Sequence, residues 1–278
     1  MLRQFPEAID HGRNFTIYDA ADSLRAVKAC MKELEISTEN WSPDTVASTI
    51  SNAKNRLVDV DEFERVAGSF YEKTVARVYR RYQEMLASVD ALDFDDLLFK
   101  VARLLMIDGP FREYWQKRFT YLLIDEYQDT NRAQYLIARE LAAAHRNICA
   151  TGDPDQSIYG WRGADISNIL DFTREYPEAK VVKLEENFRS TEYILKAADG
   201  VIVNNTQRIP RALFTRRSGG SRIRLIACPD EEAEAEAVAG RVRDLHHKGV
   251  PYGHMAVFYR TNFQSRTIEN TFRLLGIP

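Results

Sequence analysis

An α/β fold with an all-helical N-terminal part is the architecture this sequence predicts, on three observations. Three short apolar runs, Tyr121–Asp125, Ile148–Gly152 and Val181–Leu184, are separated by stretches of helical spacing. Short buried strands alternating with helices build a parallel sheet covered on both faces. Ahead of them, residues 1 to about 107 carry helical spacing alone. Behind them, after Ser218-Gly-Gly-Ser221, a second strand–helix–strand cycle begins.

The helical part divides into four stretches. Asp19 stands where an N-cap belongs, and Leu24, Val27, Met31 and Leu34 step by three and four behind it. Ser42-Pro43-Asp44 pairs a cap with proline at the first helical position, followed by Val46, Ile50 and Leu57. Asp61 opens a long stretch with Phe63, Val66, Phe70, Val78, Tyr82 and Met85 on one face. A fourth pattern runs from Asp93 through Leu97, Leu98, Val101, Leu104 and Leu105, and stops at the turn signal Asp108-Gly109-Pro110. In the second cycle, Arg222–Ala227 and Met255–Tyr259 read as strands and residues 230 to 247 as a helix, acidic first and basic later.

Composition sets broad limits. With 278 residues, 45% hydrophobic and 28% charged, the chain has the make-up of a globular protein with room for two domains. It has no apolar stretch long enough to span a bilayer, and the segment MLRQFPEAIDHGR has no signal-type apolar core. Cys30, Cys149 and Cys228 are odd in number and far apart, which disfavours a disulfide framework and suits a reducing cytoplasm. A net charge of −3 does not announce nucleic-acid binding, so any such contact has to come from a local patch.

Two clusters carry chemistry. Leu122-Leu-Ile-Asp125-Glu126-Tyr-Gln-Asp129 is an apolar strand ending in two acids. In a parallel sheet they stand at the carboxyl edge, where such folds bind ligands. In nucleotide hydrolysis the first acid can hold Mg²⁺ and the second can orient and deprotonate water. An acidic turn after a buried strand would look the same. The second cluster, Gly152-Asp153-Pro154-Asp155-Gln156-Ser157-Ile158-Tyr159-Gly160-Trp161-Arg162-Gly163-Ala164, follows the next strand. Gln156 is placed to sense a γ-phosphate. Tyr159, Trp161 and Arg162 offer faces for base stacking and a cation for phosphate. The plainer alternative makes Trp161 a core plug and Arg162 a surface charge.

Together, YLLIDEYQDTNRAQY and GDPDQSIYGWRGADI resemble motifs II and III of the UvrD/Rep/PcrA helicases of superfamily one. Leu184-Glu-Glu-Asn-Phe-Arg-Ser190 resembles their motif IV, and Val257-Phe-Tyr-Arg-Thr-Asn-Phe-Gln-Ser-Arg266 their YRTN segment. Leu92-Asp-Phe-Asp-Asp-Leu97 is similar to the segment that returns from the helical insertion to the first motor domain. Order and spacing match across essentially the whole chain. The fold implied is a P-loop NTPase fold: incomplete RecA-like parallel sheets with an N-terminal all-helical insertion subdomain. Residues 1–90 would be that insertion, 91–185 the remainder of the first motor, and 186–278 the first part of the second.

The resemblance also implies roles. Asp125 would bind Mg²⁺ and Glu126 would act as general base. Gln156 would couple the γ-phosphate to the DNA site. Phe188 would stack on adenine, where relatives more often carry tyrosine; both side chains are flat. Arg189 would reach the γ-phosphate as an arginine finger, unless it pairs with Glu185 or Glu186. Tyr159, Trp161 and Arg162 would line the single-strand track. Arg260 and Asn262 would touch the strand from the second motor, unless Arg260 is only a solvated strand end.

One departure bears on activity. None of the thirteen glycines is followed by lysine, so the family's Gly-x-Gly-Lys-Thr phosphate loop is not found here. Motifs V and VI are not found either. The expectation is a fragment of an ATP-dependent 3′–5′ DNA helicase or translocase of repair or replication, inactive alone and with no nucleotide bound. The alternative is a non-hydrolysing module that binds single-stranded DNA or a partner protein. In the family's fold a phosphate-loop strand lies between the strands at Ile148 and Val181, so both would be left with open edges. Three compensations are open: the Val181 strand moves, a second copy fills the gap, or this half is loosely ordered. Self-association through that edge is the preferred one.

Overall fold

The computed structural model describes residues 1–278 apart from the side chain of Arg162. The chain divides into two compact units, Met1–Glu185 with Asp199–Ala212, and Glu186–Ala198 with Leu213–Pro278.

In the first unit, α1 (Ala20–Glu33) begins at a capping box in which the Asp19 and Asp22 side chains each accept from the other's backbone N–H. α2 (Pro43–Asn55) follows Ser42 with proline at its start. The long stretch expected from Asp61 is instead two helices, α3 (Val60–Val66), capped by Asp59, and α4 (Phe70–Ser88), capped by Ser69. The break has a local cause. Glu72 accepts from the N–H groups of Gly68 and Ser69, a fresh capping box that starts α4 independently of α3. Val27 and Met31 of α1, Val46 and Ile50 of α2, and Val78, Tyr82 and Leu86 of α4 form the core of this helical part.

Two strands interrupt what reads as uniform helix. β1 (Thr16–Tyr18) pairs in parallel with β2 (Ala91–Asp93) across all the intervening helices. Three residues are too few for alternation to register as a period. The pairing brings Leu2, Ile9 and Phe15 onto Leu92, Leu105 and Trp115, a second core shared with α5 (Phe94–Met106) and α6 (Pro110–Arg118).

Beneath the junction lies a buried ionic cluster. Lys54, at the end of α2, places Nζ 2.6 Å from Asp93 and 2.8 Å from Asp96, and its side chain is 1% exposed. Tyr82 donates to Asp93 and Gln83 to Asp96. Burial pushes Asp93 up, but Lys54, with hydrogen bonds from the Asp96 amide and Tyr82, outweighs it and holds Asp93 below the usual carboxylate value. Burial leaves Asp96 above it, against the pull of Lys54.

The carboxyl-bearing sheet is β3 (Leu122–Ile124) paired in parallel with β4 (Ile148–Ala150), with α7 (Arg132–Ala142) between them in sequence. Register runs Leu122 to Ile148 through Ile124 to Ala150, so both strands end at the same edge. Short helices α8 (Ser167–Leu170) and α9 (Phe172–Glu175) follow, and α10 (Glu192–Ile202) crosses the division between units in sequence. The second unit holds α11 (Glu231–His247), capped by Asp230, and α12 (Asn262–Leu274). They pack through Ala239, Val242 and Phe272, with Ile277 closing the cluster.

Three expected strands do not form. Val181–Leu184, Arg222–Ala227 and Met255–Tyr259 belong to no strand among the described residues. Leu184, Leu225 and Phe258 are 79%, 95% and 91% exposed. Their apolar composition favours a strand, but a strand exists only when a neighbouring backbone takes its N–H and C=O groups. The second unit's own pairing is a single parallel bridge between Glu186 and Phe214. The mixed helix and parallel-sheet class expected from the sequence is the one observed, with small sheets. Among the described residues no helix is long and apolar enough to cross a membrane.

Candidate functional site

Because β3 and β4 run in parallel and in register, the residues that follow them emerge side by side. The Thr151 N–H donates to the Ile124 carbonyl, and the Tyr127 N–H donates to that of Thr151, at 2.8 and 3.0 Å. Asp125 and Glu126 leave β3 exposed, with the Glu126 N–H donating to the Asp125 carboxylate at 3.0 Å. Glu126 sits at φ +51°, a left-handed conformation unusual for a residue with a side chain. Compensating contacts follow at once. A one-turn 3₁₀ helix, Tyr127–Asp129, carries Gln128 into the interior, fully buried, and its Nε2 donates to Glu126 at 2.7 Å.

Gln128 also joins the two loops. Its Oε1 accepts from the Asp153 N–H at 3.0 Å. The Asp153 carboxylate in turn accepts from Gln156 Nε2 at 2.7 Å. A continuous hydrogen-bonded chain thus runs Glu126–Gln128–Asp153–Gln156, bringing two expected site residues into one network through two that sequence reasoning passed over. Gly152 allows the close approach. A Cβ there would lie 2.5 Å from Gln128 Oε1 and 2.7 Å from Ile169 Cδ1. From the other side, Arg211 reaches Asp153 at 2.6 Å, and Arg208 and Arg211 reach Asp155 at 3.2 and 3.3 Å. Burial, with the Glu126 carboxylate beside it, pushes Asp129 above the usual carboxylate value.

The aromatic loop starts three residues after Gln156. Tyr159 and Trp161 have ring centroids 6.5 Å apart, and Trp161 is 67% exposed, so it is no core plug. Both line a cavity of about 730 Å³. Its other walls include Asn55, Phe94, Asp95 and Asn131. Phe94, 58% exposed, is another residue the sequence did not single out. Its signal was weak, one aromatic at the first position of a helix. The side chain of Arg162, a candidate for phosphate contact, lies outside the described residues.

In the second unit, Phe188 is 76% exposed and Arg189 is exposed on a turn built by Asn187, whose side chain accepts from the N–H groups of Arg189 and Ser190. Arg217 donates to the carbonyls of Phe188 and Arg189, and Glu186 pairs with Arg216 at 3.1 Å. Arg260 and Asn262 are exposed at the start of α12, where Gln264 accepts from the N–H groups of Arg260 and Thr261.

Two family models cover nearly the whole chain. The UvrD/REP helicase N-terminal domain matches residues 1–177, and the UvrD-like helicase C-terminal domain matches residues 182–278. Among curated proteins, the chain is similar to the ATP-dependent DNA helicase PcrA of Bacillus subtilis, with 44% identity over 278 residues, 100% of this chain and 38% of that protein. The proteins of the same name in Staphylococcus epidermidis and Staphylococcus aureus are 44% and 42% identical over the same 278 residues. The chain thus spans about two-fifths of the length of these relatives, 38% in each case. On these matches, and on the paired loops just described, the chain belongs to the UvrD/REP helicase family.

Proposed function

We propose that these residues are the central portion of an ATP-driven 3′–5′ DNA helicase or translocase serving repair or replication. Residues 1–90 act as a helical insertion, 91–185 as part of a first motor and 186–278 as the start of a second. The observation that carries this reading is the hydrogen-bonded chain from Glu126 through Gln128 and Asp153 to Gln156. It yokes a general base to a phosphate sensor across two strand ends, so that a change at one carboxamide is felt at the other.

The exposed Asp125 and Glu126 suit a hard divalent cation. Mg²⁺ is commonly held by one or two carboxylates together with substrate phosphates, so these residues fit without a dedicated cage. When bound with ATP, Mg²⁺ neutralises charge on the phosphates. In a motor that also carries the phosphate cradle, Asp125 would hold the ion, Glu126 would take the proton from the attacking water, and Gln156 would orient toward the terminal phosphate. Phe188 would stack on the adenine, and Arg189 would offset charge developing on the phosphate. Tyr159, Trp161 and Arg162, with Arg260 and Asn262, bind single-stranded DNA, and Phe94 on the wall of the same cavity adds a further stacking face.

No glycine here precedes a lysine, so the 278 residues by themselves bind DNA without turning over ATP. Electrostatic stabilisation of the transferring phosphoryl group is the main part of such catalysis, and the cradle of amides and lysine supplies much of it. The edge of β4 away from β3, which Val181–Leu184 does not cover as a strand among the described residues, is where two copies would associate.

The test is a titration with oligothymidylate at several salt concentrations, with ATP turnover measured alongside. Weak, salt-sensitive binding that falls by about 1–3 kcal/mol in Trp161→Ala is expected, because one stacked base is worth that much. Unchanged affinity in that variant would remove the aromatic loop from the track. DNA-stimulated turnover lost in Glu126→Gln would overturn the inactive reading.

A further inference from the structure

The last turn of α2 touches both functional loops. Asn55 and Asn131 are each 8% exposed, and Asn131 Nδ2 donates to Asn55 Oδ1 at 2.6 Å. On its other side Asn55 Nδ2 donates to the Asp95 carboxylate at 3.0 Å and to the Ser51 carbonyl at 2.9 Å. The orientations of both amides are forced. Asp95 and the Ser51 carbonyl accept only, so Asn55 must turn its NH₂ to them. Asn131 Oδ1 caps α7 by accepting from the Gln134 N–H at 2.9 Å, so its NH₂ must face Asn55. No other residue type of this size both accepts from Asn131 and donates to Asp95.

Asn131 stands five residues beyond Glu126 and ends the carboxylate loop. It also bridges Ala164, the end of the aromatic loop, while the Asp165 N–H donates to the Thr130 carbonyl at 3.0 Å. Gly163, at φ +84°, lies beside the same turn, where a Cβ would make only ordinary contact with Asn52 and Asn55, at 4.0 Å. Asn55, Asp95 and Asn131 line the cavity that Tyr159 and Trp161 also line. Asn55 therefore braces Asn131, whose backbone joins the ends of both loops, and it lines the space into which a strand would enter.

We propose that Asn55 is a positioning residue, an amide relay that passes occupancy of this cavity to the carboxylate loop through Asn131. The relay rests on the DNA reading above. The brace itself does not, and the two are separable by experiment. An occupant that displaces or tightens the Asn55–Asn131 contact moves the N-cap of α7, and with it the five-residue span back to Glu126. The helical part is then a direct contributor to how the catalytic carboxylate is set.

Hydrogen exchange on the full chain tests both layers. In the free protein, Asn55→Ala should raise exchange about tenfold at the amides of Gln134 and Asp165 together, since one buried donor loses its acceptor, while α4 keeps the parent's rates. Asn131→Asp should do the same. It retains the α7 cap and replaces the donor to Asn55 with an acceptor, so it breaks the contact without shortening the side chain and serves if the alanine variant folds poorly. The double variant Asn55→Asp with Asp95→Asn restores an acceptor for Asn131 and a donor between positions 55 and 95; the bond to the Ser51 carbonyl is lost, and the Ser51 hydroxyl, 3.3 Å away, can donate to the new carboxylate instead. It should return both segments to the parent's pattern, a rescue that mere loss of packing would not give. Unchanged exchange at Gln134 and Asp165 in both single variants overturns the brace.

With oligothymidylate added, the parent should slow exchange in both 126–131 and 159–165. Asn55→Ala should slow only 159–165. Equal slowing of both segments in the variant overturns the relay. No slowing anywhere in the parent overturns the DNA reading and the relay with it, while the free-protein result still decides the brace.

Discussion

Removing the charge of Lys54 gives the sharpest stability test. Lys54→Met keeps the length and aliphatic bulk of the side chain and deletes the ammonium. Asp93 and Asp96 lose their shared partner, at 2.6 and 2.8 Å, at a place where the lysine side chain is 1% exposed and the carboxylates 8% and 4%. Stripping one partner from a buried ion cluster costs about 3–5 kcal/mol, because the remaining charges have neither water nor a counter-ion. A domain of ordinary stability holds only about 5–15 kcal/mol. Arg80 is the control. Its ion pairs to Asp61 and Glu64 are as short, 2.7 and 2.5 Å, but its side chain is 44% exposed. Arg80→Met should leave the urea midpoint close to the parent's, because exposed ion pairs are screened by water. Urea unfolding followed by circular dichroism reads both.

The sign with pH separates this cluster from simple packing loss. In the parent, Asp93 is held below its ordinary value, so its contribution is present above the unfolded carboxylate value of about 3.9 and is lost as pH falls through the folded one. In Lys54→Met both carboxyls titrate above their ordinary values, so the variant's deficit is largest near neutrality and shrinks on acidification. Adding Asp93→Asn and Asp96→Asn should recover much of the loss. A Lys54→Met variant within about 1 kcal/mol of the parent near neutral pH would refute the premise that Lys54 offsets carboxylate charge in a dry place.

Other expectations follow from single contacts. Gly152→Ala would force a Cβ to within 2.5 Å of Gln128 Oε1, and should lower stability by about 1–3 kcal/mol, read as a fall in the urea midpoint; an unchanged midpoint would mean the two loops are not interlocked there. Asp129 has a raised value, so its contribution is present below the unfolded value of about 3.9 and is lost as pH rises through the folded one. Asp129→Asn should therefore melt higher than the parent near neutrality and lose that advantage in acid; equal melting temperatures at both would exclude the effect. If the open edge of β4 away from β3 recruits a second copy, light scattering should show mass rising with concentration, and a strictly monomeric, cooperatively unfolding chain would rule this out.

The sequence was most legible where a local signal is self-sufficient. Asp19 and Asp93 announce their helices because a capping carboxylate and the periodic face behind it need nothing from the rest of the chain. The same logic erred at Asp61. The face from Phe63 to Met85 is continuous in periodicity, but Gly68 and the Ser69–Glu72 box restart the helix, and a capping box inside a periodic run is a signal that periodicity overrides. Strands fared worse because a strand is a relation between two segments. Thr16–Tyr18 has no reason to be extended until Ala91–Asp93 lies beside it, 75 positions along by the register of Thr16 on Ala91. Leu225 and Phe258 show the converse, strand-like residues with no edge to join.

The candidate site divides in the same way. Asp125, Glu126, Gln156, Tyr159 and Trp161 are visible because their chemistry stands out against apolar or small neighbours. Gln128, Asn55 and Asn131 do not stand out, since a lone amide on a helix or turn is unremarkable until its partners are known. Yet those amides hold the visible residues. Gln128 is fully buried, donates to Glu126 and accepts from Asp153, and Asn131 caps α7 while facing Asn55. A buried carboxamide can accept from one loop and donate to another without adding charge, and it reaches further than a serine or threonine hydroxyl. Joining two acidic loops with a carboxylate would add repulsion, and joining them with a lysine would neutralise the acids that the chemistry needs. The residues least visible in the sequence are therefore the neutral two-way connectors, and a site built from carboxylates at adjacent strand ends requires them.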